Sequence, residues 1–237
     1  MVSIPPTPFS ARFEDKIIHN QKFVEYHFEL VEPHRMEFKA GQYVSVKVSQ
    51  AGERRSYSIC SSSAIDHGFQ CLLDISPKGI GTQFLESLQL GQSIEGLGPM
   101  GRFVISDQPE SAIVLVGTGS GIAPLKSMIL ELVEKNRDQR PITLYWGMRY
   151  AVDLFWLDEF QDIVEANKNF FFYPVISKPE PEWNLSTGHV TDLLSIHQFP
   201  ADAGYYLCGS KQIIESIQQF LLAKSIQPQY IHHEKFF

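Results

Sequence analysis

Apolar and polar residues alternate through "KFVEYHFEL" (22–30) and "QYVSVKVS" (42–49), the period of a half-buried strand. "FQCLLDIS" (69–76) and "SIEGLGPMGRFVI" (93–105) are short apolar runs bounded by Gly and Pro, and they read as strands too. Only "GTQFLESLQL" (81–90) has helical spacing in this half, through Phe84, Leu85 and Leu88. A small antiparallel β-barrel or sandwich is expected from about residue 9 to 105. The polar, proline-containing stretch "SDQPES" (106–111) then reads as a joint.

Beyond the joint the pattern changes. Continuous apolar runs "SAIVLVG" (111–117), "ITLYWGM" (142–148), "FFFYPVI" (170–176) and "GYYLCG" (204–209) read as buried strands. Helical segments fall between and after them: "APLKSMILELVEKN" (123–136), "DLFWLDEFQDIVEAN" (153–167), "GHVTDLLSI" (188–196) and "KQIIESIQQFLLAKSI" (211–226). Strands alternating with helices predict an α/β domain with a doubly wound parallel sheet. Two domains are therefore expected, a β-barrel over 1–107 and an α/β domain over 108–237.

Composition narrows the chemistry. A formal net charge of −7 over 237 residues argues against a nucleic-acid partner. No apolar stretch reaches the roughly 18–20 residues of a membrane span. "MVSIPPTPFSARFEDK" lacks the basic and apolar regions of a signal peptide. The three cysteines, Cys60, Cys71 and Cys208, are few and far apart, which fits a reducing cytoplasm better than a disulfide framework. They are too few for a four-cysteine iron–sulfur site, and without an HExxH or CxxC pattern no metal is expected.

The strand ends hold the candidate chemistry, because ligands of doubly wound sheets bind outside the carboxyl ends of the strands. "LVGTGSGIAP" (115–124) places three glycines in five residues, at a cost of roughly 0.5–1 kcal/mol each relative to Ala in a regular element. It reads either as a tight strand-to-helix turn or as a loop whose bare backbone approaches a ligand's phosphates at a helix N-terminus. Gly147-Met148-Arg149 and Cys208-Gly209-Ser210 end two further strands at the same edge, and Cys208 reads equally as a small buried hydrophobe. In the first half, "RRSYSICSSS" (54–63) puts Arg55 and Tyr57 on one strand face, with Ser56 and Ser58 on the other. "SPKGIGTQF" (76–84) is a second glycine-containing loop, with Thr82 placed either to cap the helix that follows or to bind phosphate.

Together these segments resemble the ferredoxin–NADP(H) reductase superfamily of flavoenzymes. Arg55-Ser56-Tyr57-Ser58 matches its R-x-Y-S flavin motif, and Gly79-Ile80-Gly81-Thr82 its second flavin-phosphate loop. "GPMGRF" (98–103), "GTGSGIAPLKSMI" (117–129), "CGSKQII" (208–214) and the closing "HHEKFF" follow in the family's order. The resemblance implies a barrel holding FAD and an α/β domain holding NADPH or NADH. Hydride would pass from the nicotinamide to the flavin, and electrons onward to a protein such as a ferredoxin, flavodoxin or oxygenase component. It further implies that Tyr57 lies against the flavin ring, that Ser58 bonds near its N5, and that Arg55, Ser56, Gly79, Gly81 and Thr82 surround its phosphates. Thr118, Gly119, Gly121 and Gly209 would approach the nicotinamide dinucleotide, with Cys208 and Glu234 where nicotinamide meets flavin and Phe236 covering the flavin face. No covalent role is implied for Cys208. Ser177 and Lys178 resemble the Ser-Arg pair of NADPH-specific members, with Glu180 and Glu182 nearby to oppose them. Without an iron–sulfur domain in the sequence, the chain resembles a free-standing reductase. "ITLYWGMR" and "KPEPEWNLSTG" also resemble segments of reductases that take free flavin as substrate, the alternative reading. A non-catalytic flavin-binding module is a third.

Overall fold

The computed structural model describes residues 6–236. The chain forms two compact units, Met1–Ile105 with Lys126–Asn136, and Ser106–Leu125 with Arg137–Phe237.

The first unit is an antiparallel sheet of β1 (Thr7–Ile18), β2 (Phe23–Glu32), β3 (Tyr43–Lys47), β4 (Arg54–Ser58), β5 (Gly68–Asp74) and β6 (Ser93–Met100), in the order β4-β3-β6-β1-β2-β5. The two edges meet: Ile59 bridges Cys71, and the Cys60 N–H donates to the Gln70 carbonyl at 2.8 Å. This closure makes the sheet barrel-like and removes its open edges. Alternation along β2 sends Val24, Tyr26, Phe28 and Leu30 inside, where Phe28 lies 5.3 Å from Phe69. Helix α1 (Ile80–Glu86) packs Leu85 onto the same core.

The opposite alternation of β2 puts a carboxylate on the outer face, yet Glu25 is only 3% exposed. His27 Nε2 lies 2.7 Å and His19 Nε2 3.2 Å from its two oxygens. Helix α2 (Ile122–Leu130) and the π-type turn that continues it (Glu131–Lys135) belong to this unit from Lys126 onward. The buried Lys126 ammonium acts on Glu25, and Ser127 Oγ donates to the Ser61 carbonyl at 2.7 Å. Burial pushes the Glu25 pKa up, but the bonds to His19 and His27 and the field of Lys126 outweigh it and hold the group well below its ordinary 4.5.

The second unit is a parallel sheet of β7 (Ile113–Thr118), β8 (Ile142–Met148), β9 (Phe170–Ile176), the two-residue β10 (Ser186–Thr187), β11 (Gly204–Ser210) and β12 (Ile231–Phe236), in the order β10-β9-β8-β7-β11-β12. Helices α4 (Val190–Ile196) and α5 (Lys211–Ala223) bury Leu193, Ile214 and Ile217 on one face, against Val114, Tyr145 and Leu207. Helix α3 (Leu157–Ala166) covers the other face, with Phe160 beside Trp146 and Phe172. Both faces are thus covered, as a doubly wound sheet requires.

The differences from the sequence expectation have packing causes. The helix expected from Asp153 begins at Leu157, because Phe155 and Trp156 turn onto Trp146 with ring centroids 5.2 and 6.4 Å away. The tail "HHEKFF" carries no strand signal, yet it adds β12 in parallel to β11.

A folded-state pKa below the unfolded one stabilises the protein above the unfolded value and loses that stabilisation as pH falls toward the folded one. Glu25→Gln should therefore lower unfolding stability by roughly 3 kcal/mol at neutral pH, by removing the carboxylate that faces Lys126. Chemical denaturation should show this deficit shrinking steadily below about pH 4.5.

Candidate functional site

Two clusters assemble, one in each unit. In the first, β4 pairs with β3 so that Arg55 opposes Val46 and Tyr57 opposes Val44, which puts both on the face turned toward α1. A Cβ added at Gly81 would lie 2.3 Å from Tyr57 Oη and 2.9 Å from Arg55 Cγ. Without a side chain at Gly81 the 79–82 loop can press this closely on β4, so two segments distant in sequence are brought together. Ser58 and Thr82 are buried, whereas Arg55 and Ser56 are exposed. Thr82 does not cap the helix. Gly79 is the N-cap, in extended conformation, and the helix begins one residue earlier than read, leaving Thr82 inside its first turn. Beside Gly79 there is open space. A guanidinium, a phenol, hydroxyls and loop N–H groups next to open space suit a flat ligand bearing phosphates, so these residues fit a flavin nucleotide.

The second cluster forms where β7 and β11 lie side by side, the point at which the strand order reverses. A Cβ at Gly121 would meet the Cys208 carbonyl oxygen at 2.3 Å, and one at Gly209 would meet Thr118 Oγ1 at 2.2 Å. Thr118, Gly121, Cys208 and Gly209 are therefore in contact. Gly119 has φ +57° with nothing within 4 Å of its Cβ position, so bare backbone faces open space directly before α2. This is a suitable seat for a pyrophosphate. By contrast, side chains of Val190 and Thr118 fill the space at Gly147, which makes it a packing glycine.

Cys208 is fully buried, and Glu234 stands opposite it in register. Burial first, then the Glu234 carboxylate, pushes the thiol far above its ordinary value, and the Gly209 N–H offsets this only in part. Such a thiol is un-ionised and a poor nucleophile. Phe236 lies half-buried at the level of Ser210, whereas Phe237 lies outside the described residues. Ser177 and Lys178 stand apart at the end of β9, two strands from β7, with their N–H groups donating to the Met148 and Arg149 carbonyls at 3.0 and 2.9 Å. Lys178, Glu180 and Glu182 are all exposed.

Sequence reading missed Glu110. It lies in the supposed polar joint, yet its carboxylate is fully buried between Tyr206 and His232. The available signal was Gly204, where an added Cβ would meet that carboxylate at 2.2 Å.

Residues 10–105 match the oxidoreductase FAD-binding domain, and residues 115–219 the oxidoreductase NAD-binding domain. The chain belongs to the ferredoxin–NADP reductase-like flavin oxidoreductases. It is 32% identical, over 87% of its length and 63% of the relative's, to the reductase subunit of an aromatic O-demethylase from Amycolatopsis sp.. It is 30% identical, over 87% of its length and 61% of the relative's, to the reductase component of propane 2-monooxygenase from Mycolicibacterium goodii. A ferredoxin NADP+ reductase from Neisseria gonorrhoeae, solved with FAD and NADP, shares the fold with a TM-score of 0.82 at 22% identity, covering 99% of this chain and 100% of that one. The chain spans about three-fifths of the length of the curated relatives it matches. Among the described residues no helix is long and apolar enough to cross a membrane, and no group of three or more His, Cys, Asp or Glu side chains could hold a metal ion.

All three cysteines are free and buried. The native protein should give less than about a tenth of an equivalent of reactive thiol with a disulfide reagent near pH 8. Denaturation should release three equivalents.

Proposed function

We propose that the protein takes hydride from NADPH and passes electrons through FAD to a protein acceptor, an oxygenase component being the class its named relatives suggest. The observation that carries the flavin half is the contact of Gly81 with Arg55 and Tyr57, which joins two segments of the flavin motif set. Bound there, the flavin supplies two-electron acceptance and stepwise release, chemistry that no side chain offers.

The residues divide the work. Arg55 pairs with the flavin phosphates, a charge-assisted contact about twice as strong as a neutral one. Ser56, Gly79, Gly81 and Thr82 complete that cradle. Tyr57 offers a flat apolar surface to the ring, and burial keeps its phenol protonated. Ser58 supplies a hydroxyl at the flavin's reacting nitrogen. Thr118, Gly119, Gly121 and Gly209 bring backbone to the dinucleotide, while Cys208 and Glu234 border the nicotinamide, the thiol as neutral packing. Phe236, two residues beyond Glu234 on the same strand, would supply a flat apolar ring to the cofactors. Free thiols at all three cysteines suit a reducing cytoplasm.

Preference for NADPH rests on Ser177 and Lys178. Their backbone bonds to the end of β8 hold a hydroxyl and a cation at the carboxyl edge of the sheet, where the adenosine ribose is expected. An exposed ammonium near a phosphate dianion is screened by solvent and salt, so its effect is roughly one to two powers of ten.

Two measurements test this reading. Arg55→Ala should lose flavin on gel filtration while keeping its thermal midpoint within a few degrees, whereas the wild type elutes yellow. A wild type that elutes colourless and oxidises NADPH only with added flavin points instead to a reductase of free flavin. Lys178→Glu should shift the NADPH/NADH ratio of kcat/KM toward NADH by about ten- to a hundredfold. A wild type that prefers NADH, with no change in the variant, contradicts the assignment.

A further inference from the structure

The last strand lies at the edge of the sheet, in register with its neighbour along its whole length. Among the described residues β12 pairs as a strand with β11 alone, with Tyr206 opposite His232, Cys208 opposite Glu234 and Ser210 opposite Phe236. Alternation puts His233 and Lys235 on the face toward α5, where they meet Gln218 at 3.0 Å and Glu215 at 3.1 Å. Both ties are solvent-accessible, and accessible pairs contribute little.

The other face carries His232, Glu234 and Phe236, beside Tyr206 and Cys208. The His232 ring stacks on Tyr206, with centroids 4.6 Å apart and planes at 22°. Its Nε2–H donates to Glu110 Oε1 at 2.8 Å, because a carboxylate can only accept. The Tyr206 hydroxyl donates to the other Glu110 oxygen at 2.7 Å and accepts from the Ser106 N–H at 2.8 Å. Arg140 donates to the Glu110 carbonyl at 3.1 Å, and its guanidinium is itself held by Asp138. Each oxygen of this fully buried carboxylate thus has its own donor, and one of the two comes from the edge strand.

We propose that Glu110, with Tyr206 and His232, is a positioning device that docks β12 and so holds Glu234 and Phe236 alongside Cys208. The geometry stands without reference to activity. Its catalytic consequence rests on the reading of Cys208 and Glu234 given above. Losing His232 would leave a buried carboxylate oxygen without its donor, a cost that the strand avoids by swinging away and admitting water. The strand's displacement would uncover Cys208, two residues along β11 from Tyr206.

The test uses the full-length holoprotein and follows alkylation of each cysteine by mass spectrometry, with amide hydrogen exchange over residues 231–236. In His232→Ala, Cys208 alkylation and exchange of these amides should both rise at least about tenfold, while Cys60 and Cys71 remain silent. His232→Gln, whose amide nitrogen reaches the position of Nε2, should return both toward wild type. Gln218→Ala, which removes an outer tie, should change neither. In the same series kcat for nicotinamide oxidation should fall in His232→Ala, with KM for the nucleotide little altered. A silent Cys208 in His232→Ala overturns the proposal. So does simultaneous exposure of all three thiols, which signals global unfolding, or an equal opening in Gln218→Ala. A wild type that transfers no hydride removes the functional reading alone, since thiol and exchange data still decide the docking.

Discussion

The second unit depends on how closely two backbones approach. Gly121 and Gly209 lie where the loops after β7 and β11 meet, and any side chain at either would enter the space of Cys208 or Thr118. Close-packed interiors leave no slack for such an atom, so it would force the loops apart. Their contact sets where α2 begins and which backbone N–H groups face open space beside Gly119. It also fixes Cys208 on one side of the crossing. The nucleotide assignment follows from this steric condition more than from charge, since a helix dipole contributes only about 0.3–1 kcal/mol at an exposed terminus.

Each unit also carries one buried carboxylate that is held through histidine. Glu25 sits beneath the part of α2 that packs on the barrel, between His19, His27 and Lys126. Glu110 sits at the amino edge of the parallel sheet, between Tyr206 and His232. Burying a carboxylate is costly unless its oxygens are bonded, and here histidines bond both acids, with His27 on an interior strand and His232 on an edge strand. Glu25 thus meets a helix through the charge of Lys126, and Glu110 meets an edge strand through the His232 ring.

Much of this was legible in the chain because alternation and apolar runs report burial directly. The strands "ITLYWGM" and "FFFYPVI" have the same limits in sequence and structure, and Arg55 and Tyr57 share a face as period-2 spacing requires. What stayed hidden depends on contacts distant in sequence. The helix start at Leu157 is set by Trp146, on another strand. Strand β12 owes its existence to β11 rather than to "HHEKFF". Of the two roles open to Thr82, the cap falls to Gly79, which already supplies the extended residue that a helix start needs. Glu110 looked like part of a solvated linker, since charge in a Pro- and Ser-containing stretch is ordinarily exposed. Only Gly204, across the sheet edge, makes room for it.

The central proposal is that the chain holds both a flavin and a nicotinamide nucleotide and passes hydride from the nicotinamide to the flavin. Anaerobic rapid mixing of the purified flavin-loaded protein with one equivalent of NADPH tests this most directly. The account predicts loss of the visible flavin absorbance in step with oxidation of the nicotinamide, one for one. Flavin absorbance that stays unchanged while NADPH remains intact would contradict it.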